Sequence, residues 1–456
     1  MYDVAIIGGG PGGYAAALYA HNFGLSVALV EKDEVGGTCL LRGCIPAKAW
    51  LQSAHVYSMV KRAEEFGVVT TEPTLDWPKA LERKNGVVSG LVKGLGGLLK
   101  ARGVEVINGY GALKDGGVEV TANDLSTLQI EASNVILATG SVPRSIPGYE
   151  INGDRIVSSS HALDWERRPD RVAIIGGGVI GCEFASLLGD FGSEVHLFEA
   201  LDQLLPEMDP DVVKTLDRSL RKKKVKIRTS TTVGPPEMLG GAVRVPFGDE
   251  SVEVDVVLVA VGRAPVTDGV GLELTSAVVD RGFVEVDAAT MQTAEPHLFA
   301  VGDIVAGTPQ LAHAGFAEGI SAITYIATGK AAPVDYNAVP LVVYSDPEVA
   351  HVGLSEAQAR AQGRDITVTS HGMRGVGRAI IQGEVGGIVK LVAEIGGPIL
   401  GATVSGPGAG EMIHELMYTV AWEALPEEAA AYIHAHPTVS EAIGETLLSA
   451  SGRSLH

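Results

Sequence analysis

Val4-Ala5-Ile6-Ile7-Gly8-Gly9-Gly10-Pro11-Gly12-Gly13 stands near the start of the chain, and Val172-Ala173-Ile174-Ile175-Gly176-Gly177-Gly178-Val179-Ile180-Gly181 repeats its pattern 168 positions later. Each stretch is an apolar run of strand length that ends in a glycine-rich turn. Gly8, Gly10 and Gly13 in one copy, and Gly176, Gly178 and Gly181 in the other, allow a tight turn, close backbone approach to a pyrophosphate, and close packing of helix on strand. The pyrophosphate then meets a helix N-terminus. A second apolar run follows each copy, Val27-Ala28-Leu29-Val30 and Val195-His196-Leu197-Phe198, and closes on an acid 23 positions past the first glycine, Glu31 and Glu199. A carboxylate there accepts a hydrogen bond from a ribose 2′-hydroxyl and repels a 2′-phosphate, so both sites should hold an adenosine without that phosphate. One glycine turn alone is weak evidence. Strand, helix and matched acid, found twice, predict two dinucleotide sites.

The segment after the first copy carries the next signal, Gly36-Gly37-Thr38-Cys39-Leu40-Leu41-Arg42-Gly43-Cys44-Ile45-Pro46-Ala47-Lys48. A bridge between Cys39 and Cys44 would close too short a loop to restrain the unfolded chain much, so stability is a poor reason for the pair. Metal binding is disfavoured as well: the spacing is not CxxC, and no second Cys/His pair completes a tetrahedron. Redox catalysis is the leading reading, ahead of metal binding and ordinary packing. The third cysteine, Cys182, falls inside the second glycine-motif helix, where packing is expected.

With 456 residues the chain should form about three domains. Its 58 glycines are scattered rather than set in triplets, which excludes a fibrous reading. Only 35 basic residues face 55 acidic ones, for a net charge of −20, so nucleic acid and anionic membranes are unexpected partners. The apolar runs are strand-length and broken by glycine or charge, and the first begins at residue 2. The expectation is a cytoplasmic chain with neither a cleaved signal nor a membrane span.

Together with Thr293-Ala294-Glu295-Pro296-His297-Leu298-Phe299-Ala300-Val301-Gly302-Asp303 and His434-Ala435-His436-Pro437-Thr438-Val439-Ser440-Glu441, these motifs resemble the pyridine nucleotide-disulfide oxidoreductases, and among them the branch that oxidises dihydrolipoyl groups. The resemblance covers essentially the whole chain. It implies an α/β fold with two Rossmann-like dinucleotide-binding domains, for FAD and NAD, plus a C-terminal α+β dimerisation domain. The expected order is an FAD domain over 1–145, an NAD domain over 146–265, a central segment over 266–336 that completes the FAD domain, and an interface domain over 337–456. Breakers at Pro143, Pro147, Gly148, Gly262, Pro265 and Pro333 agree with that order.

The resemblance also assigns roles. Tightly bound FAD would be held by the first glycine motif, Glu31, Asp303, Lys48, Thr139 and Gly140; NAD⁺/NADH would be held by the second motif, Glu199 and Gly262. Cys39 and Cys44 would form the redox disulfide, His436 the proton-transferring base and Glu441 its orienting carboxylate, with His434 in support. Lys48 would pair with Glu183 near the flavin. Simpler readings stand beside these: a helix-capping role for Asp303, a capping box for Thr438 to Glu441, and a solvated helix face for Lys48 and Glu183. The implied assembly is a homodimer with shared active sites, serving a lipoylated acyltransferase or H-protein of a multienzyme complex such as a 2-oxo acid dehydrogenase, with no metal. A related reductase of another disulfide, resembling glutathione reductase, and a purely docking subunit are the alternatives. Val179, where such a reductase usually has tyrosine, and the arginine-free Glu199-Ala200-Leu201-Asp202-Gln203 favour NAD. Leu41, Ala47 and Val266 depart from the usual residues, which leaves the preferred disulfide and its potential open.

Overall fold

The computed structural model describes residues 1–455, which form two compact units. Residues 1–49, 79–144 and 263–336 make the first, and residues 50–78, 145–262 and 337–456 the second.

The first unit is organised by one sheet. Its parallel part runs Glu105–Asn108, Val27–Glu31, Tyr2–Ile7, Thr127–Leu137, with Leu298–Ala300 parallel to the far side of Thr127–Leu137. Strand Thr127–Leu137 serves twice: its C-terminal half pairs with Tyr2–Ile7, and its N-terminal half pairs antiparallel with Gly117–Thr121 of a hairpin. The central strands are apolar on both faces, as a parallel sheet covered on both sides requires; Val4, Ala5, Ile6, Ala28 and Leu29 are wholly buried. Because Leu298–Ala300 lies in register with Val135–Leu137, the segment after residue 263 folds back into the unit that contains the N-terminus.

Helix Pro11–Ala20 covers this sheet and packs on helix Ala312–Thr328 through glycines. A Cβ at Gly319 would fall 2.5 Å from the Gly12 carbonyl oxygen, and one at Gly12 would fall 2.9 Å from Val301. Backbone therefore touches backbone where the helices cross.

The second unit holds three sheets: a small antiparallel one ordered Glu237–Met238, Val243–Phe247, Glu250–Val254, and two larger ones of different kind. A parallel sheet is ordered Lys226–Arg228, Glu194–Phe198, Arg171–Ile175, Val256–Val259, Ile156–Val157. An antiparallel sheet is ordered Leu341–Val343, Glu348–Gly353, Ile399–Gly406, Ile388–Glu394, Ile366–Gly372. Helices Ala409–Ala421 and Glu441–Ala450 cover the antiparallel sheet, burying Met412, Ile413, Leu416, Ala442, Ile443 and Leu447 against its strands. Residues 50–78 join this unit through aromatic packing: Trp50 stacks on Trp77 at 4.3 Å between centroids, and both rings meet Phe191. Among the described residues no helix is long and apolar enough to cross a membrane.

Two glycine-to-alanine changes should move stability in opposite directions. Gly319→Ala forces helix against helix and is expected to cost about 1–3 kcal/mol, whereas exposed Gly94 in helix Trp77–Ala101 has open space beside it, so Gly94→Ala should gain up to about 1 kcal/mol from helix propensity. Urea unfolding of both variants checks the signs.

Candidate functional site

Both glycine turns adopt one geometry. Gly8 has φ 108° and Gly176 φ 110°, values open to glycine at little cost. A Cβ at Gly8 would fall 2.2 Å from the Ala138 carbonyl oxygen, and one at Gly176 would fall 2.3 Å from that of Ala260. At Gly13 and at Gly181 a Cβ would lie 1.9 Å from the carbonyl oxygens of Gly8 and Gly176, so no other residue fits. Gly10 and Gly178 are the N-caps of helices Pro11–Ala20 and Val179–Asp190, and neither provides a side-chain cap. The first amides of both helices are thus left for an anionic ligand, which suits a pyrophosphate.

Glu31 and Glu199 also match. Glu31 accepts the Gly9 amide at 2.7 Å and the Asp33 amide at 2.9 Å; Glu199 accepts the Gly177 amide at 2.6 Å and the Leu201 amide at 2.8 Å. The sequence reading gave these acids to a ribose hydroxyl. The structure shows that each also ties the glycine turn to the end of the second strand, and a carboxylate has lone pairs for both tasks. The donor sets fit two dinucleotides of the FAD and NAD type.

The redox segment rests on the first cradle. The Gly36 amide donates to the Gly9 carbonyl at 2.8 Å, and a Cβ at Gly37 would fall 2.5 Å from the Gly10 Cα. Cys39 lies in the short helix Gly37–Arg42 and Cys44 begins helix Cys44–Lys61. Gly43 lets the two helices meet, since a Cβ there would be 2.9 Å from the Thr38 carbonyl oxygen. Both cysteines are half-buried free thiols. The hydrogen bond with Cys44, then burial, pushes the Cys39 thiol far up, while Lys48 pulls it down. Two thiols this close ionise one at a time, and the second proton is held tightly.

Around the pair the structure gathers residues that the sequence reading left unassigned. Arg263 donates from Nε to Ser141 Oγ at 2.6 Å and from Nη2 to the Ser141 carbonyl at 2.6 Å and Thr38 Oγ1 at 3.4 Å. Ser141 Oγ in turn donates to Asp303 Oδ2, and Arg263 Nε stands 3.8 Å from that carboxylate. Burial lowers the Arg263 guanidinium, opposed by Asp303 and Cys44. Tyr14 packs on Phe316 at 5.5 Å between centroids; burial, then the charges of Cys39 and Cys44, push its phenol up to about 12. The sequence signal for Arg263 was its place after the strand-end Gly262, where a buried guanidinium needs carboxylate company; Tyr14 carried none.

Asp303 does not cap a helix, since helix Ala312–Thr328 begins after Leu311. The Thr139 hydroxyl donates to the Val266 carbonyl, and the Val266 amide donates to Gly140 at 2.9 Å, so these residues knit the strand crossing Ser141–Pro143 with Arg263–Pro265. Buried Cys182 donates weakly to the Gly177 carbonyl at 3.2 Å, as expected of packing. Glu183, also buried, accepts the Tyr344 amide at 3.0 Å within the second unit.

The C-terminal motif is ordered by Glu441. Its Oε1 meets His436 Nδ1 at 2.9 Å and its Oε2 accepts the Thr438 amide at 2.9 Å. Those two bonds, the backbone one first, hold the Glu441 carboxyl below its usual range. The capping box is therefore half made: the acid reaches back to Thr438, but the helix N-cap is Ser440, which lends no side-chain bond. The His436 side chain is 79% exposed, and Nδ1 is the ring nitrogen that meets Glu441. His434 is held differently, by Glu415 at 2.7 Å, a contact that raises its pKa.

Among known proteins, the family described as "Pyridine nucleotide-disulphide oxidoreductase" matches residues 2–319, and its "dimerisation domain" matches residues 339–447. The chain is 39% identical to a dihydrolipoyl dehydrogenase of Bacillus subtilis, with 100% of this chain and 99% of the relative covered. It is 40% identical to the dihydrolipoyl dehydrogenase of Chlamydia trachomatis, over 100% and 98%. The crystal structure of LpdA from Mycobacterium tuberculosis superposes with a TM-score of 0.91 at 28% identity, over 98% of this chain and 99% of that one.

The His434 pair carries a pH signature. Its folded pKa is raised, so its contribution to stability is complete below about 6.5, the unfolded value, and is lost as pH rises through the higher folded value. Melting temperatures measured upward from pH 6 should show that loss in the wild type and not in Glu415→Gln.

Proposed function

The chain belongs to the pyridine nucleotide-disulphide oxidoreductases, and we propose that it oxidises protein-borne dihydrolipoyl groups to lipoyl disulfides while NAD⁺ is reduced to NADH. The observation that carries this reading is the Cys39 and Cys44 pair seated on the first glycine cradle, in a chain aligned end to end with relatives named dihydrolipoyl dehydrogenase.

In the dithiol half-reaction His436, with Glu441 on its Nδ1, takes the proton of one substrate thiol at Nε2. The thiolate attacks Cys39 of the oxidised pair; the Cys39–Cys44 bond breaks, and Cys44 leaves as a thiolate at the start of its helix, where the dipole favours negative charge. The second substrate thiol then displaces Cys39, passing its proton to the Cys39 sulfur; the substrate disulfide closes, and both electrons stay on the pair as the Cys39 thiol and the Cys44 thiolate, with the first proton on His436. FAD, held by the first cradle, Glu31 and Asp303, supplies a two-electron acceptor that can be discharged as hydride. The Gly176 turn, Glu199 and Gly262 hold the nicotinamide nucleotide. Lys48 counters negative charge on Cys39, which supports its place beside the flavin, with Glu183 as its proposed partner.

The chain forms a homodimer through the segment that carries His436, and we assign to the dimer a base shared between subunits, which would cover the exposed ring. The domain boundaries expected from the sequence remain our assignment, as do a cytoplasmic location and a lipoylated acyltransferase or H-protein as the substrate's carrier. A glutathione-reductase-like activity is not favoured, since no arginine follows Glu199 before Gln203 and the relatives named above oxidise dihydrolipoyl groups by name.

Purified yellow protein should form NADH from dihydrolipoamide and NAD⁺, with little turnover on NADP⁺. Cys44→Ser should abolish this turnover, and His436→Gln should slow it by about 10²–10⁴-fold with flavin content unchanged. Equal rates with NADP⁺, or a fully active Cys44→Ser, would sink the assignment.

A further inference from the structure

Glu318 is wholly buried and takes no part in the chemistry above. It lies on helix Ala312–Thr328, and its carboxylate collects three protein donors. Oε2 accepts the Gly302 amide at 2.5 Å, Oε1 accepts the Tyr336 hydroxyl at 2.9 Å, and the Thr308 hydroxyl also donates to it. Gly302 and Thr308 bracket the loop that presents Asp303. One carboxylate therefore closes that loop at both ends, while Tyr336 holds the carboxylate in place.

The loop has other ties. The Val305 amide donates to the Gly302 carbonyl at 2.9 Å, and Gln310 Nε2 to the Asp303 carbonyl at 3.1 Å. Ser141 Oγ donates to the Asp303 carboxylate, with Arg263 Nε 3.8 Å from it. Asp303 is thus held through its backbone neighbours by Glu318 and through its carboxylate by Ser141. Burial raises its pKa, the three donors oppose that rise, and the charge of Asp303 adds to it. Helix packing alone does not call for a charge here, because Gly319 and Gly315 already lay the helix on Gly12. A buried carboxylate is costly unless its lone pairs are used, and here they are used on the loop.

We propose that Glu318 is a positioning residue for FAD: by clamping residues 302–308 it sets the aim of Asp303 and hence how firmly the flavin is retained. The inference rests on the assignment of Asp303 to the flavin.

The test follows flavin fluorescence and far-ultraviolet circular dichroism on the same holoenzyme sample while Glu318→Ala, Glu318→Gln and Asp303→Ala are compared with wild type. Glu318→Ala should release flavin about tenfold faster or more, at temperatures where its helices remain folded. Glu318→Gln should stay within about threefold of wild type, since its amide oxygen can take the Gly302 amide and its NH₂ can face the two hydroxyls. If flavin release and unfolding shift together in Glu318→Ala, or neither shifts, while Asp303→Ala releases flavin, Glu318 is merely structural and the proposal falls. If Asp303→Ala also retains flavin, the assignment of Asp303 has failed and takes the proposal with it. Should Glu318→Ala not fold, the double variant Thr308→Val/Tyr336→Phe removes two of the three donors, and wild-type retention there overturns the proposal.

Discussion

The carbonyl oxygen of Gly8 occupies the place where a side chain at residue 13 would begin, and Gly176 does the same to residue 181. This contact sets how closely each helix can start above its strand. It leaves the helix amides uncapped, brings the second glycine within reach of the acid that ends the neighbouring strand, and in the first copy gives the redox segment a floor to rest on. The two cradles then diverge. Gly10 faces Gly37 of the redox segment, whereas Gly178 has open space where its side chain would be.

The cysteine pair and His436 are held in opposite ways. Cys39 and Cys44 are half-buried beside a glycine cradle, a half-buried arginine and a tyrosine, and their protons respond chiefly to one another and to burial. His436 is fixed by Glu441 on Nδ1, and its side chain is mostly exposed. That ring lies in the segment matched by the family's dimerisation domain, residues 339–447.

The parts of this arrangement that were readable in the sequence are those in which residue type and spacing are forced. Glycine at 8, 13, 176 and 181 is dictated by backbone contact, and the acids at 31 and 199 by strand ends, so the α/β fold with two dinucleotide domains could be inferred before any coordinates. The cysteine pair and the His436 and Glu441 pair were readable through their motifs. What could not be read depends on contacts distant in the chain. Arg263 matters because Ser141, Asp303 and Thr38 converge on it from three segments. Residues 50–78 belong with the second unit because Trp50, Tyr57 and Trp77 find Phe191. Glu318 looked like one more polar residue on a helix, and only the approach of Gly302, Thr308 and Tyr336 gives it a task.

The double duty of Glu199 constrains how this protein could change. Besides the choice of nicotinamide nucleotide that we assign to it, the residue joins the Gly177 turn to the Leu201 amide. A lineage drifting toward the phosphorylated coenzyme could not simply trade that acid for a smaller or basic residue, because two backbone donors would lose their acceptor together. On that assignment specificity and scaffold are the same atoms, so a switch of coenzyme would have to come with a rebuilt loop, and coenzyme choice should be among the slower traits of this protein to evolve.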